Sequence, residues 1–373
     1  MAENTVIIGA GGTGRGFLAR LLAYDDASLT FVDMDQQLIR QLNEEKSYQI
    51  MSGNETYVIK NYKAYHFDDK EAAERVAEAD WIFTAVGNEH LAQIVPLLER
   101  AAIKKTDQYL KVVTCENGMN PKSVLRKALE ERNIKNVLVT QAIVFCTSIP
   151  ESEGALAILS EDYNRLPYDT DEELFEMPFT HMISTKNFSQ LLERKICTYN
   201  CLSACIAYLG AYKSYVNYAD AANDTEILAI CYDLLKGLNR AMCLEYKLSE
   251  PEQESFSDGA LKKFRNHAIS DTIQKNARAV IRKISPDERI MGPVHIMLRY
   301  SENPEVLYLV LAAALLYLEE NEKTELEGAG YKEPIALFEN LNPGIGRETI
   351  HTVRRLYGEL RAGMGLEQIM KKG

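Results

Sequence analysis

The spacing of apolar residues divides the chain in two. Up to about Phe188, short uninterrupted apolar runs alternate with stretches where apolar residues recur every three or four positions; beyond it, only the helical interval remains. Val6 to Ile8, Ser28 to Val32, Trp81 to Val86, Leu110 to Cys115 and Val137 to Val144 read as buried strands. Gln36 to Asn43, Lys70 to Ala77, His90 to Ala102 and Pro121 to Arg132 read as the helices between them. Such alternation predicts a mainly parallel, doubly wound sheet covered by helices. Tyr48 to Met51 and Tyr57 to Ile59 read as short extended pieces around the turn Ser52-Gly53-Asn54. Glu151 to Glu176, where acids accumulate, reads either as partly strand or, more plainly, as a solvated excursion. In the second half, Ser189 to Tyr215, Thr225 to Tyr246, Asp271 to Lys283, Val306 to Glu320 and Arg347 to Ala362 read as helices. The expectation is an α/β domain over residues 1–190 and an all-α domain over residues 191–373.

The first strand runs directly into GAGGTGRGF, Gly9 to Phe17, where Gly9, Gly11 and Gly14 have the GxGxxG spacing. The first glycine permits a tight turn, the second lets a pyrophosphate approach the backbone, and the third lets the following helix pack closely on the strand. Phosphate charge then meets a helix N-terminus. Gly12 and Arg15 belong to the same loop and complete the candidate phosphate-binding set. The second strand ends in Asp33, where a carboxylate can accept hydrogen bonds from an adenosine ribose. No arginine follows within two residues, which favours NAD over NADP. Asp33 or Asp35 could otherwise cap the helix that follows, and methyltransferases share a glycine loop and an acid at this place. Strand, glycines and acid in register favour a Rossmann domain, with Val86 at a strand end beside the cofactor.

Length and charge narrow the picture. At 373 residues, with 46% hydrophobic and 26% charged residues, the chain has ordinary globular composition and room for two domains. Its net charge of −12 argues against nucleic acid or an anionic membrane as main partner. The apolar run Val306 to Leu318 is shorter than the roughly 20 residues of a membrane span. Met1-Ala2-Glu3-Asn4 has no basic leader character, so a cytoplasmic protein is expected. The seven cysteines lack CxxC spacing, and the stripe Cys197, Cys201, Cys205 reads as a helix contact, with no metal expected. Between Leu261 and Arg289, basic residues (Lys262, Lys263, Arg265, Lys275, Arg278, Arg282, Lys283, Arg289) outnumber the acids Asp271, Asp287 and Glu288. That run is either a solvated helix face or, with His267 and Arg282 foremost, a site for a phosphate or carboxylate.

Just past the boundary lies ERKICTYN, Glu193 to Asn200, followed by Ser203. On a regular α-helix Asn200 would lie about 140° and Ser203 about 80° around from Lys195, one broad polar face that also takes in Tyr199. With TAVG (Thr84 to Gly87), TCEN (Thr114 to Asn117), FVDMDQQLIRQLNEEKSYQI (Phe31 to Ile50), AYLG (Ala207 to Gly210) and RKISPDERI (Arg282 to Ile290), these segments resemble the polyol-specific long-chain dehydrogenases, the mannitol dehydrogenase family, over nearly the whole chain. The resemblance implies NAD-dependent hydride transfer to or from a sugar alcohol or its phosphate, with a ketose or ketose phosphate as the oxidised partner. It implies that Lys195 is the general base and that Asn200 and Asn117 bind the reacting oxygen. It also implies that Ser203 stands where the family has His, and that Lys195 and Asn200 contact substrate while Asn117 also borders the cofactor; His267 and Arg282 are candidate substrate contacts on the charge argument alone. A sugar-acid reductase of the same family, and a nucleotide-binding relative that has lost catalysis, are the alternatives. The β-hydroxyacid dehydrogenases share the domain plan but have a shorter spacing between lysine and asparagine.

Overall fold

The computed structural model describes residues 2–105, 108–118, 120–268 and 271–372 of the chain. They form two compact units, residues 1–189 and 190–373.

In the first unit the strands are β1 (Asn4–Ile8), β2 (Ser28–Asp33), β3 (Ser47–Ser52), β4 (Glu55–Lys60), β5 (Lys63–His66), β6 (Trp81–Thr84), β7 (Leu110–Thr114) and β8 (Val137–Gln141). Six of them make a parallel sheet in the order β5-β2-β1-β6-β7-β8. Successive strand residues point to opposite faces, and both faces are covered. Ile7, Phe31, Phe83 and Val113 enter one hydrophobic core, while Val6, Ile8, Val32, Ile82 and Val112 enter the other. This double burial is why the strands read as unbroken apolar runs. The strand order reverses between β1 and β6, and the crevice beyond their carboxyl ends is where such sheets bind ligands.

Two smaller sheets complete the unit. β9 (Ser148–Pro150) and β10 (Ile158–Ser160) join the β3–β4 hairpin in the order β4-β3-β10-β9, and β11 (Leu166–Asp169) pairs in parallel with β12 (Met182–Thr185). The stretch 151–176 is therefore not a solvated excursion. Its acids lie between short strands whose Ile158, Leu166 and Tyr168 are buried.

The second unit is helical throughout its described elements. Glu305–Asn321 is buried along Val306 to Leu318, and it packs against Cys201–Tyr212 and Arg347–Arg361. No described helix is long and apolar enough to cross a membrane. Cys197, Cys201 and Cys205 are buried free thiols of this core. Asp271 to Lys283 is not one helix. Ile273–Ala277 and Val280–Lys283 are separated at Ala279, which takes a left-handed φ of 61°. The Glu322 carboxylate accepts the N–H groups of Ala279 (2.7 Å) and Val280 (3.0 Å), starting the second helix from outside.

Candidate active site

The glycine loop takes up three different constraints. Gly9 has φ 100°, and a Cβ there would lie 2.5 Å from the Ala85 carbonyl oxygen. A Cβ on Gly14 would lie 1.9 Å from the Gly9 carbonyl oxygen, so strand and helix meet here backbone to backbone. At Gly11 a Cβ would meet nothing within 4 Å. The open space sits just before the helix that begins at Gly12, whose first N–H groups have no partner within the helix. A pyrophosphate fits that arrangement. Asp33 faces the loop, accepting from Ala10 N (2.6 Å) and Asp35 N (2.9 Å), while Asp35 itself caps the next helix through Gln37 N and Leu38 N. The capping role thus belongs to Asp35, while the half-buried Asp33 carboxylate is turned to the glycine loop.

Two loop residues are placed otherwise than the sequence reading expects. Gly12 lies against the Ser148 backbone, where a Cβ would come within 2.1 Å of the carbonyl oxygen. Arg15 is buried; its guanidinium donates to the carbonyls of Ala10 (2.6 Å) and Leu156 (2.7 Å) and lies 5.8 Å from the Tyr48 ring centroid. It braces the loop from behind instead of facing a phosphate.

Glu116, to which the sequence reading gave no role, follows β7 and is buried. Its carboxylate accepts from the Thr84 hydroxyl (2.8 and 2.9 Å) and the Val86 N–H (3.2 Å), tying the ends of β6 and β7 together. Burial pushes it up to about 7, against the downward pull of those hydrogen bonds. The signal was the acid in TCEN beside the hydroxyl in TAVG on neighbouring strands. Asn117 is exposed in the turn that follows.

In the helical unit, Phe188–Lys195 continues through a wide π-type turn, Ile196–Asn200, into Cys201–Tyr212. The N–H of Cys201 donates to the carbonyl of Ile196, five residues back. One extra residue is thereby accommodated, so positions i+5 and i+8 from Lys195 fall where i+4 and i+7 would on a regular helix. Counted in this way, Asn200 comes to about 40° and Ser203 to about 20° from Lys195, closer than the α-helical count of the sequence.

Lys195 is 6% exposed. Burial, with the nearby charges of Lys263 and Arg289, lowers it to about 7. Arg194, the adjacent cation, turns the other way. It donates to Gln253 Oε1 (2.8 Å) and Glu252 Oε1 (2.7 Å) and lies 4.2 Å from the Phe256 ring centroid. Tyr199 packs its ring on Phe256 (4.8 Å) and Phe264 (6.3 Å). Ser203 is half-buried, and its carbonyl accepts from the Tyr218 hydroxyl at 3.4 Å.

The basic segment splits on folding. Glu288 is buried and pairs with Arg282 (2.7 Å) and Arg289 (3.2 Å); burial alone would raise its pKa, but these two arginines outweigh that and hold it low. Lys283 is also buried, donates to the Asn276 carbonyl, and is lowered to about 7 by burial and by Arg289 and Arg282. His267 is exposed, 3.6 Å from Asp220 Oδ1 and 3.2 Å from the Asn223 amide nitrogen, so its described contacts are with surface polar groups and not with Lys195. Of the basic run, Lys263 and Arg289 are the members whose charge acts on Lys195, and neither was singled out by sequence.

The models for the mannitol dehydrogenase Rossmann domain and the mannitol dehydrogenase C-terminal domain match residues 3–150 and 187–333. The chain belongs to the mannitol dehydrogenase family. It is an oxidoreductase of that family, and its relatives fit the assignment. Mannitol-1-phosphate 5-dehydrogenase of Anoxybacillus flavithermus is 28% identical over 335 residues, 84% of this chain and 87% of that one. The enzyme of the same name from Thermoanaerobacter pseudethanolicus is 25% identical, covering 96% and 98%. Among solved folds, Pseudomonas fluorescens mannitol 2-dehydrogenase, a ternary complex with NAD and D-mannitol, superposes with a TM-score of 0.78 at 16% identity, covering 100% of this chain and 95% of that one. A substrate-free D-sorbitol dehydrogenase superposes at 0.74 with 14% identity, covering 97% and 93%.

Proposed function

We propose that the protein is an NAD-dependent dehydrogenase of a sugar alcohol phosphate, of the mannitol 1-phosphate type. The observation that carries this reading is Lys195, buried on the same helix face as Asn200 and brought to about 7 with Lys263 and Arg289 beside it. A base near neutrality is what removing a hydroxyl proton requires. Gly9, Gly11, Gly14 and Asp33 hold the cofactor, and NAD, when bound, supplies the hydride acceptor. Neutral Lys195 takes the proton from the substrate hydroxyl, and the Asn200 amide donates to the oxygen as it gains charge. Lys263 and Arg289 keep the lysine neutral in the resting state and offer cations to an anionic substrate. The names of the relatives favour a phosphate as that anion. NADH formation measured over polyol phosphates, polyols and aldonates is the test. A neutral polyol preferred over every phosphorylated one would overturn the substrate class.

Asp33 supports NAD as the cofactor. Asp33→Asn keeps an acceptor for Ala10 N–H and loses the charge, so NAD should bind roughly tenfold to a hundredfold more weakly, the worth of a charge-assisted hydrogen bond or two. Calorimetric titration with NAD and NADP decides it; equal affinities in the unaltered protein would remove Asp33 from cofactor choice.

Ser203 bears on rate. A serine hydroxyl carries no positive charge near neutrality, so it relays a proton only through ordered water. Ser203→His should raise kcat by roughly tenfold, less than a residue acting directly on substrate would give. Steady-state kinetics that show no gain would place proton release elsewhere.

A further inference from the structure

We infer that Gln253 is a positioning residue for the Lys195 helix, clamping the wide turn that puts Asn200 beside the lysine. The inference rests on the reading of Lys195 as the base. It deepens that reading by naming what holds the base in place.

Gln253 lies in the first turn of the helix Glu250–Phe264 and is 0% exposed. A primary amide buried so completely has its hydrogen-bonding groups at stake, and this one is engaged on both sides. Its oxygen accepts from Arg194 Nε at 2.8 Å. Its nitrogen donates to the Thr198 hydroxyl at 3.1 Å and to Asn239 Oδ1 at 3.2 Å. Asn239 in turn donates to the Ser257 hydroxyl at 3.0 Å, closing the network onto the same helix. Arg194 directly precedes Lys195, and Thr198 lies inside the wide turn and is buried. One amide therefore grips the chain on both sides of the segment 195–197.

A π-type turn needs such a grip. Its extra residue strains the backbone ladder, and a regular α-helical continuation is available to the same sequence. That continuation would swing Asn200 about 100° further round, to about 140° from Lys195. With Arg194 and Thr198 bonded to one side chain, the regular continuation is disfavoured because it would separate two partners of a buried amide. The contact continues along the same helix: Phe256 lies against Arg194 and Tyr199, and Lys263 on a later turn acts on Lys195. Gln253 thus sets both the alignment with Asn200 and the distance of Lys195 from the cation that helps keep it neutral.

The charges that act on Lys195 are Lys263 on this helix and Arg289 before the helix Met291–Arg299. Glu193, Glu245 and Glu288 act on Cys197, two residues further on, and Arg194 is paired with Glu252. Loosening the turn would move the lysine relative to all of them and toward water, so its midpoint should rise toward that of an ordinary lysine.

The test uses the full chain with Gln253→Met, Gln253→Glu, Thr198→Val and the double variant Gln253→Met/Thr198→Val. Two readouts apply: kcat with NAD and mannitol 1-phosphate across neutral and alkaline pH, and the pH midpoint for acetylation of Lys195 by acetic anhydride, read by peptide mass spectrometry. The second needs no turnover. Gln253→Met should lower kcat by roughly tenfold to a hundredfold, the loss expected when a reacting group is displaced by about 1 Å. It should raise the acetylation midpoint by about one unit or more. Gln253→Glu should restore most of the rate, because a carboxylate accepts from Arg194 and from the Thr198 hydroxyl, while its negative charge favours the ammonium and keeps the Lys195 midpoint raised. The double variant should fall short of the summed single effects, as partners in one network do. A purely structural glutamine would lower the melting temperature and leave the Lys195 midpoint in place, and that result overturns the inference. If Gln253→Met does not fold, Thr198→Val decides alone: a shifted midpoint supports the clamp and an unshifted one overturns it. Full activity in Lys195→Ala would instead overturn the proposed function. A dead Lys195→Ala beside a Gln253→Met of unaltered midpoint and rate would defeat only the clamp.

Discussion

Lys195→Ala should lower kcat for oxidation of a polyol phosphate by roughly 10²- to 10⁴-fold, the span expected for a positioned general base, while the dissociation constant for NAD stays nearly unchanged. The cofactor is proposed to bind on the other unit, at Gly9, Gly11, Gly14 and Asp33, so truncating the lysine leaves those groups as they are. In the unaltered protein the oxidation rate should rise as pH passes through about 7. The sign follows from the chemistry: below that value the side chain is an ammonium with no lone pair to accept a proton, and above it the free amine is the base. Removing a neighbouring cation should move the midpoint. In Lys263→Met or Arg289→Met the ammonium loses a repulsive neighbour, its pKa rises, and the acid limb of the profile shifts to higher pH. Steady-state kinetics over a pH series, with titration calorimetry for NAD, reads both effects. A Lys195→Ala variant with full activity would take this helix out of the chemistry.

The glycine loop supports a paired prediction, in which one substitution damages the fold and its neighbour only the binding. Gly14→Ala places a Cβ 1.9 Å from the Gly9 carbonyl and 3.1 Å from Ile7, on backbone that cannot yield without shifting β1. Overpacking of this kind costs about 1–3 kcal/mol or more, and the first unit should melt several degrees lower. Gly11 has an extended backbone at φ −72°, ψ −164°, which alanine adopts freely, and its Cβ would meet no protein atom within 4 Å. Gly11→Ala should therefore melt like the parent. Its NAD affinity should fall by roughly a hundredfold, because the methyl group fills space that a pyrophosphate needs. Scanning calorimetry and NAD titration on the two variants separate these outcomes. A Gly11→Ala protein with normal NAD affinity would show that the nucleotide lies elsewhere.

What could be read from sequence was local chemistry. The glycine loop and Asp33 declare themselves because turn, helix start and acid lie within one strand–helix–strand unit, and the strands of the main sheet show as apolar runs because both their faces are buried. β10 and β11 were hidden because each is only a few residues long and flanked by acids such as Glu161 and Asp162. The break at Ala279 was hidden because its cause, Glu322, lies more than forty residues away. The basic run misled for a similar reason: Glu288 neutralises Arg282 and faces Arg289, a pairing that net charge does not reveal. At the proposed site, Lys195 and Asn200 draw notice in the sequence through their motif. Gln253, inside the acidic run Glu250 to Glu254, carried no signal, since only its position against Arg194 and Thr198 distinguishes it from a surface residue.

The wide turn at Ile196–Asn200 also changes how spacing between functional residues should be counted. Five residues across a π turn and four along a plain α-helix point a side chain in nearly the same direction. A lysine and an asparagine set four apart on an uninterrupted helix would thus present the same pair to a substrate as Lys195 and Asn200 do here. Turns, not residues, are the unit in which this face is written, so deletion of a single residue together with the wide turn is a change the face can absorb.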